Sequence, residues 1–598
     1  MKLMKRNEIE DKYKWNIEKM YKNIEAWELD LKEVKDLIPG LRTFEGKLNS
    51  SEELLAFLKK DVEVSRLLDK LRSYAYLRAD EDTGNGDFQV LKGKINRCLA
   101  EASSITSFFI PELLALPDGT VERFIEELEE LKVYEMYLKD IINKKAHMLN
   151  SEQENLLSLF SEVLNGGEEI YDLFTGSELV FPKIKDEEGK EAQLTAGNYS
   201  VFMTSKDREV RKAAFEAYYG TYNKYRNLLA MTLMNHVKMF ATDSQIRHYK
   251  SSLESALKPN NIPVEVHKNV IETVSKNLSS FHRYIKLKKK LLKLDEIHMY
   301  DMTVPIVDFE EREIQYEEAL EICLEAIKPL GEEYSDIFRE GIRERWIDVF
   351  ENKGKCAGGY SRGCYDSMPY ILLNYNYQLE EVSGLIHEMG HSIHSYYSRK
   401  NQPYITSTYD WFSAEVASHT NEALLREHLI KKAKDKREKL YFINKELDCI
   451  RWQVFTRTMF SEFEKIIHED IEANNSLSTE DLCKIYHDLN IKYFGPDMVL
   501  DDDIEVGWAA VPHFYADFYL YQYATGLAAG ISISKRIIEE GESYAEKYKD
   551  FLKAGGSDYP IELLKKVDVD MTTPKALEDV IRRFDELLDM LEKELDNA

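Results

Sequence analysis

Apolar residues recur at helical spacing along most of this chain. Between residues 8 and 170 they form clusters such as Leu54-Leu55-Ala56-Phe57-Leu58 and Leu67-Leu68-Asp69-Lys70-Leu71, with charged positions between them. That is the pattern of helices with one buried face. Pro39-Gly40, Thr83-Gly84-Asn85-Gly86 and Pro117-Asp118-Gly119 break the series. Near residue 175 the period changes. Leu179 to Ile184, then Asp186-Glu187-Glu188-Gly189, then Gln193-Leu194-Thr195 predicts a short hairpin. Helix resumes with Ser205 as the candidate cap and runs to about residue 350, broken at Pro259-Asn260-Asn261 and around Thr303-Val304-Pro305. A second non-helical segment covers about 352 to 378, and from 380 to 598 the period is helical almost throughout. The expectation is a mainly α fold with a small β-sheet. Residues 1–200 would form an N-terminal helical half ending in the hairpin, and 201–598 the second half.

Composition narrows the class. A chain of 598 residues with 43% apolar content can bury a large core. A net charge of −28 argues against a nucleic-acid partner. Aromatic content of 11% argues against disorder. The six cysteines (Cys98, Cys323, Cys356, Cys364, Cys449 and Cys483) form no Cys-x-x-Cys pair. They read as reduced thiols of a cytoplasmic protein. No apolar run follows the basic residues Lys2, Lys5 and Arg6, so no signal peptide is expected. The least charged stretch, Gly507 to Ser534, reads as a buried pocket wall and not as a membrane span.

The chemistry centres on Leu385-Ile386-His387-Glu388-Met389-Gly390-His391. On a helix His387 and His391 stack on one face and can grip one Zn²⁺. Glu388 points about 100° round from His387, within reach of a water on the ion without being a ligand. Leu385, Ile386, Met389, Ile393 and Tyr397 give the same segment an apolar stripe, so the helix is expected to be buried. Two buried imidazoles and a carboxylate need partners, and a metal satisfies all three. The next helical pattern, from Trp411, carries Glu415 in a weakly polar run and Glu422 two turns later. Glu415 would complete a His₂Glu set holding one Zn²⁺. Glu422 reads either as an orienting partner of a ligand His or as an exposed helix carboxylate. His394 and His419 read as structural.

Two further stretches bear on the site. Lys353 to Gly363, which contains Gly358, Gly359 and Tyr360, is Gly-rich but lacks the ending of a phosphate loop. The strand pattern Pro369 to Tyr375 follows, with Tyr370 in it. It reads either as an edge that could pair with an extended peptide or as an ordinary buried strand. Farther on, His513, Tyr515, Tyr519, Tyr521 and Tyr523 fall within eleven residues. A continuous helix would set Tyr515, Tyr519 and Tyr523 on one face. Buried phenols need hydrogen-bond partners, and an oxyanion would be one.

At this point the chain resembles the M3 family of zinc metallopeptidases, in particular its oligoendopeptidase F branch. The resemblance runs through Trp15 to Tyr21, Asp80-Glu81-Asp82-Thr83, Gly358-Gly359-Tyr360-Ser361, Pro369 to Asn374, the His387 to Ser392 motif, Phe412 to Ser418 and His513-Phe514-Tyr515. It implies His387, His391 and Glu415 as zinc ligands, Glu388 as catalytic base, and a transition-state-binding His and Tyr within 513–523. His513 matches; Tyr519 is the first choice for the Tyr and Tyr523 the second. It also implies a helical bowl with a deep channel that admits short peptides, and hence an endopeptidase of oligopeptides, monomeric or a small homo-oligomer. The runner-up is a related helical zinc carboxypeptidase. That reading needs an Arg for a free C-terminal carboxylate, and Arg362 is its candidate. A non-catalytic peptide-binding protein with a vestigial site is the third reading.

Overall fold

Short polar caps fix where the predicted helices begin. In the computed structural model, which describes residues 3–164, 166–307, 309 and 311–596, the helix Ser51–Glu81 starts where Ser50 Oγ accepts the Glu53 N–H at 3.3 Å. Asn85 caps the following helix, Gly86–Thr106, accepting from the Asp87 and Phe88 N–H groups. The break at 83–86 is therefore a helix-to-helix turn. Leu54, Leu58, Leu68 and Leu71 of the long helix are buried. Each such side chain contributes about 1.5–3 kcal/mol. Trp27 packs into the same core, and its indole N–H donates to the Leu71 carbonyl at 2.9 Å.

The hairpin forms as an antiparallel pair, Lys183–Lys185 with Glu191–Gln193, with Ile184 opposite Ala192. Asp186 closes its turn by accepting the N–H groups of Glu188 and Lys190. Ser205 does not cap the next helix. The N-cap of Arg208–Lys224 is Asp207, whose carboxylate accepts the Glu209 N–H at 2.9 Å. The Ser205 hydroxyl donates instead to Glu187 of the hairpin turn. Its oxygen still accepts the Asp207 N–H at 3.2 Å, just ahead of the helix.

The chain is 72% helical, with sheets of two or three short strands. It divides into two compact units, each assembled from three separate stretches. One comprises Met1–Lys145, Glu311–His428 and Ile533–Asp568; the other comprises Ala146–Glu310, Leu429–Ser532 and Val569–Ala598. The first unit holds a three-stranded sheet. Tyr370–Leu372 is its central strand, parallel to Ile347–Asp348 and antiparallel to Tyr360–Arg362. This corrects the reading of Tyr370 as a peptide-binding residue. It is fully buried, and its hydroxyl donates to the Asn16 carbonyl at 3.2 Å. The edge lies one strand over, at Tyr360–Arg362.

The end of the long N-terminal helix pins the Gly-rich loop of this sheet. Tyr360 donates its hydroxyl to Asp80 at 2.7 Å, the Cys356 N–H goes to the Asp80 carbonyl at 2.9 Å, and the Thr83 N–H to the Gly354 carbonyl at 2.7 Å. Gly354 has φ +86°, and a Cβ there would lie 2.3 Å from an Asp82 carboxylate oxygen. Beneath the loop Asp348, almost fully buried, pairs with Arg6 at 2.6 Å and Lys355 at 2.8 Å, while Glu81 receives Arg6 at 2.9 Å and Arg78 at 3.0 Å. Removing one partner from such a cluster leaves a buried charge uncompensated, at about 3–5 kcal/mol.

Candidate metal centre and the residues around it

The helix Leu379–Asn401 carries the His-Glu-x-x-His motif. It buries Val382, Leu385, Ile386, Met389, Ile393 and Tyr397, the apolar stripe with Val382 added. The helix Trp411–Lys432 lies against it at close range. Gly390 makes the approach possible, because a Cβ there would sit 2.9 Å from Ser418 Cα and 3.0 Å from the Ala417 carbonyl oxygen. Asn421 ties the pair further: its amide donates to the Ile386 carbonyl at 3.3 Å and its oxygen accepts the Tyr334 hydroxyl at 3.0 Å.

This packing brings His387, His391 and Glu415 together. The two Nε2 atoms lie 3.1 Å apart, and the Glu415 oxygens lie 3.7 Å from His387 Nε2 and 3.9 Å from His391 Nε2. One tetrahedral ion bound at about 2.0–2.1 Å would hold two nitrogens roughly 3.3 Å apart. The donor set therefore fits a single metal ion. The outer ring nitrogens fit as well. His387 Nδ1 hydrogen-bonds Glu422 at 2.7 Å, and the His391 ring hydrogen-bonds the Ala414 carbonyl. The bond at His387 Nδ1 leaves the Nε2 of that ring available to a metal ion. Ser418 Oγ donates to Glu415 at 3.0 Å and steadies the third donor.

The charges divide sharply. Burial alone would raise Glu422, but Arg426, His387 and His419 more than reverse it and hold the carboxylate well below its usual range. Glu422 is thus an ionised partner of His387, not an exposed helix carboxylate. Burial would lower His387, yet Glu422 pushes it up to about 9; burial and the neighbouring His387 push His391 down to about 3. Glu388 is raised by burial to about 7, and its Oε2 is buried with no hydrogen-bond partner. The Ser361 backbone N–H reaches Glu388 from the edge strand. A Cβ on Gly359 would come 3.8 Å from Glu388 Oε1, so Gly359 borders the motif glutamate. The Gly358 carbonyl beside it is held by the Asn374 amide at 2.8 Å.

Some residues at the site carried no clear signal in the sequence. His419 lies 3.4 Å from Glu422 and 3.9 Å from Glu415. Its spacing, four after Glu415 and three before Glu422, places it on the face those carboxylates share. His394, by contrast, stacks on Tyr409 with ring centroids 3.6 Å apart, and burial lowers it to about 3. Arg362 lies 4.0 Å from Asp80 and packs on the rings of Tyr76 and Tyr360.

The 513–523 stretch belongs to the second unit and is not one helix. Pro512–Tyr515 is a 3₁₀ turn, Phe518 is left-handed at φ +54°, and the α-helix begins at Tyr521. Glu464 fixes the left-handed residue by accepting its N–H at 2.6 Å. The break separates the tyrosines that a continuous helix would have aligned. Tyr515 turns to Thr232, hydroxyl to hydroxyl at 2.8 Å, and stacks on Tyr171. Tyr519 and Tyr523 stay with His513. The Tyr523 hydroxyl lies 3.2 Å from His513 Nε2, and the His513 and Tyr519 rings are parallel at 6.3 Å.

Two helices that aim two imidazoles and a carboxylate at one point, with a further buried glutamate beside them, define a metallopeptidase-type centre on a helical scaffold. The sequence profile described as Peptidase family M3 matches residues 201–583, and that described as Oligopeptidase F matches residues 112–181. Oligopeptidase PepF of Bacillus subtilis is 44% identical, over 98% of this chain and 88% of its own. A solved oligoendopeptidase-F from Enterococcus faecium is 34% identical, with TM-score 0.74 over 96% of this chain and 99% of its own. A solved Chlamydophila abortus protein, assigned as a peptidase, is 33% identical with TM-score 0.94 over 99% and 100%. The chain belongs to peptidase family M3. It is a metallopeptidase that hydrolyses peptide bonds.

Proposed function

We propose that this enzyme is a zinc-dependent endopeptidase of short peptides, with His387, His391 and Glu415 as the ligands and Glu388 as the general base. The reading is carried by the convergence of the two Nε2 atoms, 3.1 Å apart, on the Glu415 carboxylate. Bound there, Zn²⁺ would supply a Lewis acid that acidifies a water and polarises the scissile carbonyl. Glu388 takes the proton from the attacking water and returns it to the leaving amine. A carboxyl poised at about 7 by burial suits that double task. Glu422 holds the His387 ring through Nδ1–H, so that Nε2 keeps its lone pair. The family resemblance assigns to His513 and Tyr519, with Tyr523 as the second choice, the donation to the charge that develops on the carbonyl oxygen. Gly358, Gly359 and Tyr360, at the edge of the sheet, offer backbone to an extended peptide. The names of the relatives, oligopeptidase and oligoendopeptidase, support peptides as the substrate class.

The test is mass spectrometry of digests of peptides of about five to thirty residues, capped at both ends, with and without a chelator. Internal cuts that vanish with chelator and return with zinc are expected. Trimming of uncapped peptides alone would favour the carboxypeptidase instead. Binding without cleavage in the zinc-loaded protein would leave a vestigial site.

A further inference from the structure

The helix Trp411–Lys432 carries its site residues on one stripe. Glu415, His419 and Glu422 follow one another at spacings of four and three, which stack side chains on a single helix face. Trp411, four residues before Glu415, is the first member of that stripe. Toward it the stripe opens to solvent. The side chains of Glu422 and His419 are 14% and 8% exposed, that of Glu415 is 28% exposed, and Trp411 is 72% exposed. Phe412, Ser413 and Ala414, on the other faces of the first turn, are all buried. The open side of the donor set therefore lies at the Trp411 end of this helix. The backbone there is anchored, although the indole is exposed. Tyr409, two residues earlier, donates its hydroxyl to the His391 carbonyl at 3.1 Å. Asp410 caps the first turn, accepting the Ser413 N–H at 3.1 Å and the Ser413 hydroxyl at 3.0 Å. A large aromatic ring is thus held in water on a turn that is tied to the motif helix.

We propose that Trp411 is a specificity-determining residue, whose indole packs on a large apolar or aromatic side chain of the bound peptide, on one side of the cut. Four residues of helix place it about 6 Å from Glu415 along the axis. Helical side chains lean toward the N-terminus, so the ring stands farther out than its Cα. An extended peptide advances about 3.3 Å per residue. The contact therefore falls on a side chain about two or three residues from the scissile bond. In the free enzyme the indole leaves apolar surface in water, and a large apolar side chain laid on it removes that surface from both partners. A small side chain such as that of Ala covers little of it. The inference rests on the zinc-peptidase reading above and needs no group of the second unit.

The experiment uses a series of peptides, capped at both ends, in which Phe, Leu, Lys or Ala is placed at one position at a time on either side of the cut. Zinc-loaded wild type, Trp411→Phe and Trp411→Ala are assayed by mass spectrometry, and the Phe-to-Ala ratio of kcat/KM is read at each position. Wild type is expected to favour Phe by about three- to tenfold at one position. Trp411→Ala should bring that ratio to about one, and Trp411→Phe should keep most of it. A ratio that survives in Trp411→Ala, with both rates lowered alike, would make Trp411 a structural residue and overturn the inference. A wild-type preference for Lys there, removed in Trp411→Ala, would also overturn it and assign the indole to a cation. Binding is read separately in zinc-loaded Glu388→Gln. The Phe peptide should shift the tryptophan emission to shorter wavelength, and adding Trp411→Phe should abolish the shift. This second measurement decides if Trp411→Ala fails to keep its metal. Cleavage of the series with the same ratios in all three proteins would overturn the inference and leave the peptidase reading intact. No cleavage of any member by wild type would remove the peptidase reading, and this inference with it.

Discussion

Glu388 and Glu422 are pushed in opposite directions, because burial outweighs the pull of His387 at the first, whereas Arg426, His387 and His419 together outweigh burial at the second. A base must be ionised to act, and a raised pKa keeps it protonated to higher pH. Activity should therefore fall as pH drops through about 7, or somewhat lower once a cation is bound beside it. A kcat/KM profile between pH 5 and 9 checks this, and a flat acid limb would sink the assignment. Glu388→Gln should keep the metal by elemental analysis and lose roughly 10²–10⁴-fold in kcat. Glu422→Gln should do the reverse in emphasis. Losing the ionised acceptor of His387 Nδ1–H should weaken metal binding by about 10–100-fold, read by competition with a coloured chelator. An unchanged affinity would make Glu422 a purely structural residue.

At the scale of elements, the metal site is a product of how closely two helices approach. Gly390→Ala would force the new methyl against the Ser418 backbone, and backbone cannot step aside as a side chain can. We expect a loss of about 1–3 kcal/mol in stability, together with weaker metal binding as Glu415 is pushed away from the histidines. Denaturant titration and metal stoichiometry would show both; a variant normal in each would refute the close-packing account. This site was largely legible in the sequence because its information is local: His387, Glu388 and His391 take their relation from helical period alone. The 513–523 stretch was misread for the opposite reason. Its geometry depends on Phe518 holding a left-handed conformation, and what holds it is Glu464, 54 residues away in the chain. Tyr370 failed similarly, since a strand's place in its sheet is set by its neighbours and not by its own alternation. The main-chain hairpin at 183–193 was visible because Asp186 and Gly189 write their turn into adjacent residues.

At the scale of the molecule, a bound ion joins helices from one unit, and binding to the folded state alone adds stability by mass action. At free metal a thousand times its dissociation constant the gain is about 4 kcal/mol. Chelation should therefore lower the melting temperature. It should also raise hydrogen exchange in Leu379–Asn401 and Trp411–Lys432 more than in Ser51–Glu81. Uniform loosening of all three helices would contradict a stabilisation seated in the pair.

Arg6 and Asp348, which share one ion pair beneath the Gly-rich loop, are 342 residues apart in the chain. On the ribosome, at about 5–20 residues per second, the first waits on the order of tens of seconds for the second to be made. Through that interval Arg6 and Arg78 have Glu81, and Arg78 also has Glu18, but the Asp348 carboxylate is still missing. The nascent N-terminal segment is therefore obliged to stay unfinished until the chain has been translated past Asp348.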